Sequence, residues 1–200
     1  IVIYLRKDNK EYIEVADVLL NNEELFKHAR EIGRIDVGEK SMDVKYCLLN
    51  RLDRNFEDIE DIYLNLNEEF NKKRELPKAS EWLLDNFYIV ELQYKMVRQN
   101  LEREKKFKLR TLTAGPLKGY PRVYRVALEL ISHSEGIIAE ENIIKFINFY
   151  QRETILSIKE ISALSLMFTL ALMEYVRNIS IKIDETQRVW KEAEEVPSPP

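Results

Sequence analysis

Eight apolar residues, Val44, Leu48, Leu52, Phe56, Ile59, Ile62, Leu66 and Phe70, recur at steps of 4, 4, 4, 3, 3, 4 and 4. Only a helix gathers positions spaced in this way onto one face. At 3.6 residues per turn the pattern runs for about eight turns, with charged residues on the opposite side. A chain built around such a rod must pack further helices on its apolar stripe. The rest of the sequence is suited to supply them, because 200 residues contain only five Gly and six Pro, three of those Pro within the last four positions. Few turn residues and many Leu, Ile, Glu and Lys favour long helices. The expected fold is all-α, with six or seven helices packed around a central apolar helix.

The remaining elements follow from caps and breakers. Ile1 to Val15 holds two β-rich runs on either side of Asp8-Asn9, which suits a short β-hairpin or an extended arm. Asn22 is placed to cap a helix to Ile35 that buries Leu25, Ala29 and Ile32, with Gly33 and Gly38 about its end. The long helix spans Ser41 to Asn71 and Pro77 marks its break. Ser80 starts the next, with Leu83, Leu84, Phe87, Val90, Tyr94, Val97 and Leu101 inside, fading near Glu104. Leu109 to Pro121 contains Gly115, Pro116, Gly119 and Pro121 and reads as a structured loop. Helices then cover Pro121 to Ser134 and Glu140 to Arg152. Ser157-Ile-Lys-Glu160 has capping-box spacing and opens an almost wholly apolar helix to Arg177, expected to be the most buried; a last one covers Ile181 to Ala193. This divides the chain into an arm at 1–20, one helical domain at 21–194 and a tail at 195–200.

Several function classes drop out on composition. One cysteine, Cys47, excludes an internal disulfide and reads as a small core residue. Two histidines, His28 and His133, lie far apart in sequence, which argues against a zinc site; His28 flanks a buried stripe and His133 caps the end of its helix. The start at Ile1 suits a processed protein or a piece of a longer one, and no signal-peptide pattern follows it. The longest uncharged apolar run, Ile161 to Met173, is shorter than the ~20 residues of a membrane span. The formal charge of −4 conceals an asymmetry: residues 1–76 carry 13 basic and 18 acidic groups, residues 77–126 carry 11 and 5, and residues 127–200 carry 7 and 12. The basic stripe from Arg98 to Arg125 reads as solvated surface or as a contact to an anionic membrane leaflet or acidic neighbour. Aromatics beside it are too sparse for stacking on single-stranded nucleic acid, so no nucleic-acid partner is expected.

Two blocks, EWLLDNFYIVELQ (Glu81 to Gln93) and AGPLKGYPRVYRVALELISHSEG (Ala114 to Gly136), resemble the N-terminal region of bacterial cyclic β-1,2-glucan synthases. LSIKEISALSLMFTLALMEYVRNIS (Leu156 to Ser180) resembles the helix that follows there, and ELFKHAREI (Glu24 to Ile32) an earlier one. The resemblance covers about residues 21–180. It implies a very large inner-membrane glycosyltransferase that polymerises glucose from UDP-glucose and closes the chain into a ring. This segment would be a helical region on the cytoplasmic side, soluble by itself and partnered by the transferase domain of its own polypeptide or by the inner membrane surface. The family's metal- and UDP-holding aspartates and its Q-x-x-R-W element have no counterpart here, since Gln187-Arg188-Val-Trp190 has different spacing. The segment is therefore expected to be no enzyme by itself and to need no cofactor.

One polar cluster stands out. Trp82 and Asp85 share a helix face, with Asn86 beside them, and Tyr120, Arg122, Tyr124, Arg125 and Glu129 follow the Gly-Pro loop. Rings that stack on a sugar and charged groups that take its hydroxyls would make a carbohydrate or nucleotide-sugar site, and the same cluster could hold another protein. Alternatively, Arg122 or Arg125 pairs with Asp85 and locks two helices, with Trp82 and Tyr120 as wedges. Neither a catalytic group nor a metal ligand is expected among these residues.

Overall fold

The computed structural model describes residues 3–7, 10–14, 19–36, 40–134 and 139–194. Among them lie six helices: α1 (Asn22–Ile35), α2 (Lys45–Asn71), α3 (Lys78–Arg103), α4 (Arg122–His133), α5 (Glu140–Tyr150) and α6 (Ile158–Glu194). The all-α class holds, with four short strands added: β1 (Ile3–Lys7), β2 (Lys10–Glu14), β3 (Lys40–Asp43) and β4 (Lys108–Thr111). Of the hairpin and the extended arm expected, β1 and β2 show the antiparallel pairing of the first, with Ile3 opposite Glu14 and Lys7 opposite Lys10. Asp8-Asn9, Gly38, Gly136 and the tail fall outside the described residues.

β3 and β4 are a finding that the local pattern did not announce. Lys40 pairs with Thr111 and Asp43 with Lys108, so a two-stranded ladder ties the entry of α2 to the exit of α3. The Asp43 carboxylate accepts from the Phe107 backbone N–H at 3.1 Å and continues the clasp. The long helix consequently starts at Lys45, not Ser41.

α2 and α3 form an antiparallel pair. Phe56 stacks on Tyr94 and Tyr63 on Phe87, each with centroids 4.0 Å apart, so positions rise on one helix as they fall on the other. The expected stripe is buried from Val44 to Leu66, whereas Phe70, in the last turn of α2, faces out. Ser80 does not cap α3; Pro77 does, and Ser80 is already helical and buried. In α1 the cap is Asn21, one residue before the expected Asn22, and a full capping box joins it to Glu24. Gly33 sits inside α1, where a Cβ would lie 2.9 Å from the Tyr150 carbonyl oxygen. That close approach of α1 to α5, not chain termination, is what glycine permits there.

α6 is the helix on which α4, α2, α3 and β4 all pack. It is continuous over 37 residues, without the expected break between Arg177 and Ile181. The Ser180 hydroxyl donates to the Val176 carbonyl at 2.9 Å and so stays within the helix, and Arg177 is held by Asp58 of α2 at 2.6 Å. Tertiary contacts thus override the weak helix propensity of this stretch. Burial is greatest not in α6 but in α4, where every residue except Arg125 is buried. Leu170 and Met173 of α6 are buried as expected, while Leu166 is only half-buried.

By length and composition, the 34 residues Ile158–Lys191 of α6 would suffice to cross a membrane. Three of its buried charges are nevertheless matched inside the bundle: Glu160 by Arg122, Glu174 by Arg51 and Arg177 by Asp58. That is how the core helix of a bundle is built.

Candidate functional site

The eight residues of the polar cluster do not form one cleft. Trp82 is 54% exposed on α3, Asp85 beside it is exposed, and Asn86 donates its side-chain N–H to the Trp82 carbonyl at 2.8 Å. Tyr120 is half-buried and Tyr124 wholly buried, their rings 5.7 Å apart. An aromatic platform for a sugar is therefore not assembled from Trp82 and Tyr120.

The two arginines do make charge-assisted carboxylate contacts, but not with Asp85. Arg122, wholly buried at the start of α4, donates from Nε to Glu160 Oε1 at 2.7 Å and from Nη2 to Glu160 Oε2 at 3.1 Å. It also donates to the Thr154 hydroxyl at 2.7 Å and the Ile155 carbonyl at 2.8 Å. Glu160 serves at once as the capping-box acid of α6, accepting from the Ser157 backbone N–H at 2.8 Å. Burial alone would raise the Glu160 carboxyl; the Arg122 and Ser157 bonds outweigh it and hold the group below its ordinary range.

Arg125 donates from Nη1 to Asp36 Oδ1 at 2.9 Å, at the end of α1. The other Asp36 oxygen accepts from the Tyr150 hydroxyl at 2.9 Å. Burial nonetheless raises the Asp36 carboxyl against both partners. The Asp85 pairing fails because α3 and α4 do not pack on each other, each lying against α6 with α2 or α1 as its other neighbour, and Asp85 is on the solvent side of α3.

A deeper network centres on Glu174, which is fully buried. Arg51 of α2 grips both its carboxylate oxygens, through Nε to Oε2 at 2.7 Å and through Nη2 to Oε1. Asn55 adds a bond at 2.8 Å and the Tyr124 hydroxyl one at 3.3 Å. Burial, and then the Glu174 charge, push the Tyr124 phenol far up. Charge of this kind, wholly enclosed and mutually satisfied, fixes helix register. Burial likewise pushes the Cys47 thiol up to about 11, which suits the inert core role read from its neighbours.

A cleft does open where α1, α4 and the Gly-Pro loop meet. Its volume is about 410 Å³, and His28, Asp36, Arg125 and Glu129 line it together with the loop around Gly115. The loop is held as the glycines foretell, with φ of +78° at Gly115 and +88° at Gly119, a region closed to most side chains. Gly119 N–H donates to the Leu112 carbonyl at 2.9 Å and Leu112 N–H to the Tyr120 carbonyl at 3.0 Å, closing the loop on itself. Glu129 Oε2 lies 2.8 Å from His28 Nε2 and 3.5 Å from His133 Nε2. Distance along the chain thus does not separate the two histidines in space: their rings meet edge to face at 4.9 Å. His133 faces this carboxylate from one helical turn away instead of merely ending its helix. Burial would raise Glu129, but His133, His28 and Arg125 together hold it well below the usual carboxylate range. Of this cluster, Arg125 and Glu129 were legible as candidates, whereas the histidines were not. The i, i+4 spacing of Glu129 and His133 was the only signal in the sequence.

The basic stripe divides in the same way between interior and surface. Arg98 is bound to Asp53, and Arg122 is interior. Arg103, Lys106 and Lys108 instead line a broad groove between α3 and α6, together with Val97, Ala163 and Leu166. Beside that groove, α3 exposes Trp82, Ile89, Leu92 and Met96 at helical spacing, with Tyr88 adjacent, and α6 exposes Ile158 and Ile161.

No family model matches the chain. It is 30% identical over 118 residues to the cyclic β-(1,2)-glucan synthase NdvB of Rhizobium meliloti (strain 1021). The aligned part is 59% of this chain and 4% of that relative, so the chain spans a small fraction of the protein that it matches.

Proposed function

We propose that this chain is an accessory helical region of a protein of the cyclic β-1,2-glucan synthase kind, and that it acts as a docking module without catalysis of its own. The observation that carries the reading is the exposed apolar face of α3 and α6 with the groove that basic residues line. Apolar side chains in such number on one side of a bundle favour an interaction surface. The occupant is the remainder of the same polypeptide. The relative continues far beyond the aligned 4% of its length, which leaves ample chain to cover the face. Arg103, Lys106, Lys108 and Lys159 around the groove favour an acidic segment of it. In this reading the parent protein makes cyclic glucan from UDP-glucose at the inner membrane, and the module positions the transferase.

Leu92→Asp and Met96→Asp test it. Both positions are about half-exposed, so each change should alter the stability of the isolated chain by no more than about 1.5 kcal/mol. In the full-length parent, the pair together should lower glucan made from UDP-glucose several-fold at unchanged protein level. Undiminished synthesis would refute the docking role.

A further inference from the structure

We propose that His28, Glu129 and His133 form a binding site for one divalent transition-metal ion of the zinc type. One candidate ligand atom from each of the three lies within 4.8 Å of the others. Two of the separations, 2.8 and 3.5 Å, bracket the spacing of about 3.3 Å that bonds of 2.0–2.2 Å impose between ligands of tetrahedral zinc. Two imidazoles and one carboxylate are a donor set that zinc takes with a fourth position left open. That fourth position has a place here, because His28 and Glu129 line the 410 Å³ cleft while His133 closes the site from the interior.

The three side chains are held for this geometry. Glu129 and His133 stand one turn apart on α4, the most enclosed helix, and His28 comes across from α1. Among the described residues, Arg125 is the arginine beside the cluster. It spends its charge first on Asp36, at 2.9 Å, and lies 3.6 Å from Glu129 Oε1, the oxygen turned away from the imidazoles. Oε2 is thereby left to the metal, and Arg125 orients the carboxylate as an outer partner does around a ligand. A cation at the centre of the triangle replaces the hydrogen bonds that now join the three groups.

The test uses Zn²⁺ alone, added to the chelator-stripped chain near neutral pH and followed by calorimetry and by thermal melting. Binding of one equivalent with a rise in melting temperature is expected. His28→Ala, at a side chain 20% exposed on α1, should weaken binding at least about tenfold, the loss already typical of removing an outer-shell partner. Glu129→Gln should weaken it as well. Co²⁺ in place of Zn²⁺ should give the intense visible bands of a tetrahedral site, absent from His28→Ala. No saturable binding by the unaltered chain, or equal binding by the His28→Ala chain, would overturn the proposal.

Discussion

Glu174→Ala is expected to destabilise the protein by about 3–5 kcal/mol, read as a fall in the urea midpoint at unchanged slope. Glu174 is enclosed on α6 and balances Arg51, itself only 3% exposed, while accepting from Asn55 and Tyr124. Its removal takes away the counter-charge of a guanidinium that water cannot reach. Most of the loss should reflect that residual charge and not the worth of the pair. Arg51→Met combined with the change at Glu174 should accordingly cost much less than the two single changes added together. A loss below about 1 kcal/mol for Glu174→Ala would mean that the Arg51–Glu174 pair contributes little to holding α2 on α6.

Arg122→Ala should cost a similar amount, about 3–5 kcal/mol, because the arginine joins the start of α4 to the cap of α6 in one fully enclosed contact. It also carries a pH signature. The folded Glu160 carboxyl is held below the ordinary glutamate value of 4.5. Its contribution is therefore complete above that pH and is lost as the pH falls through the lower folded value. The arginine-less protein should show a shallower loss of stability in that acid range than the unaltered one. Identical acid profiles would place the coupling elsewhere.

What the sequence disclosed and what it withheld divide along the range of the interaction. The α2 stripe was legible because 3.6-residue periodicity is local, and so were the Gly115 and Gly119 angles and the Ser157–Glu160 box. The β3–β4 ladder was not, since its partners are joined only through the folded α2–α3 pair, and Lys40–Asp43 is exposed throughout with no alternation to read. The arginines show the boundary most sharply. Buried, forked pairing was foreseeable from residue type, but choosing Glu160 and Asp36 over Asp85 required knowing which helices touch. Asp85 looked suited by its helix face, yet that face turns to solvent. The same holds for His28 and His133, which only the packing of α1 on α4 brings to one carboxylate.

Hydroxyl-radical footprinting of the isolated chain against the longer parent proposed for it tests the proposed docking role most directly. Trp82, Tyr88 and Met96 report on the α3 face, and Tyr46, 72% exposed at the start of α2, serves as the reference. The three should lose reactivity several-fold in the parent while Tyr46 keeps its own. Equal reactivity of Trp82, Tyr88 and Met96 in the two proteins would contradict docking through this face.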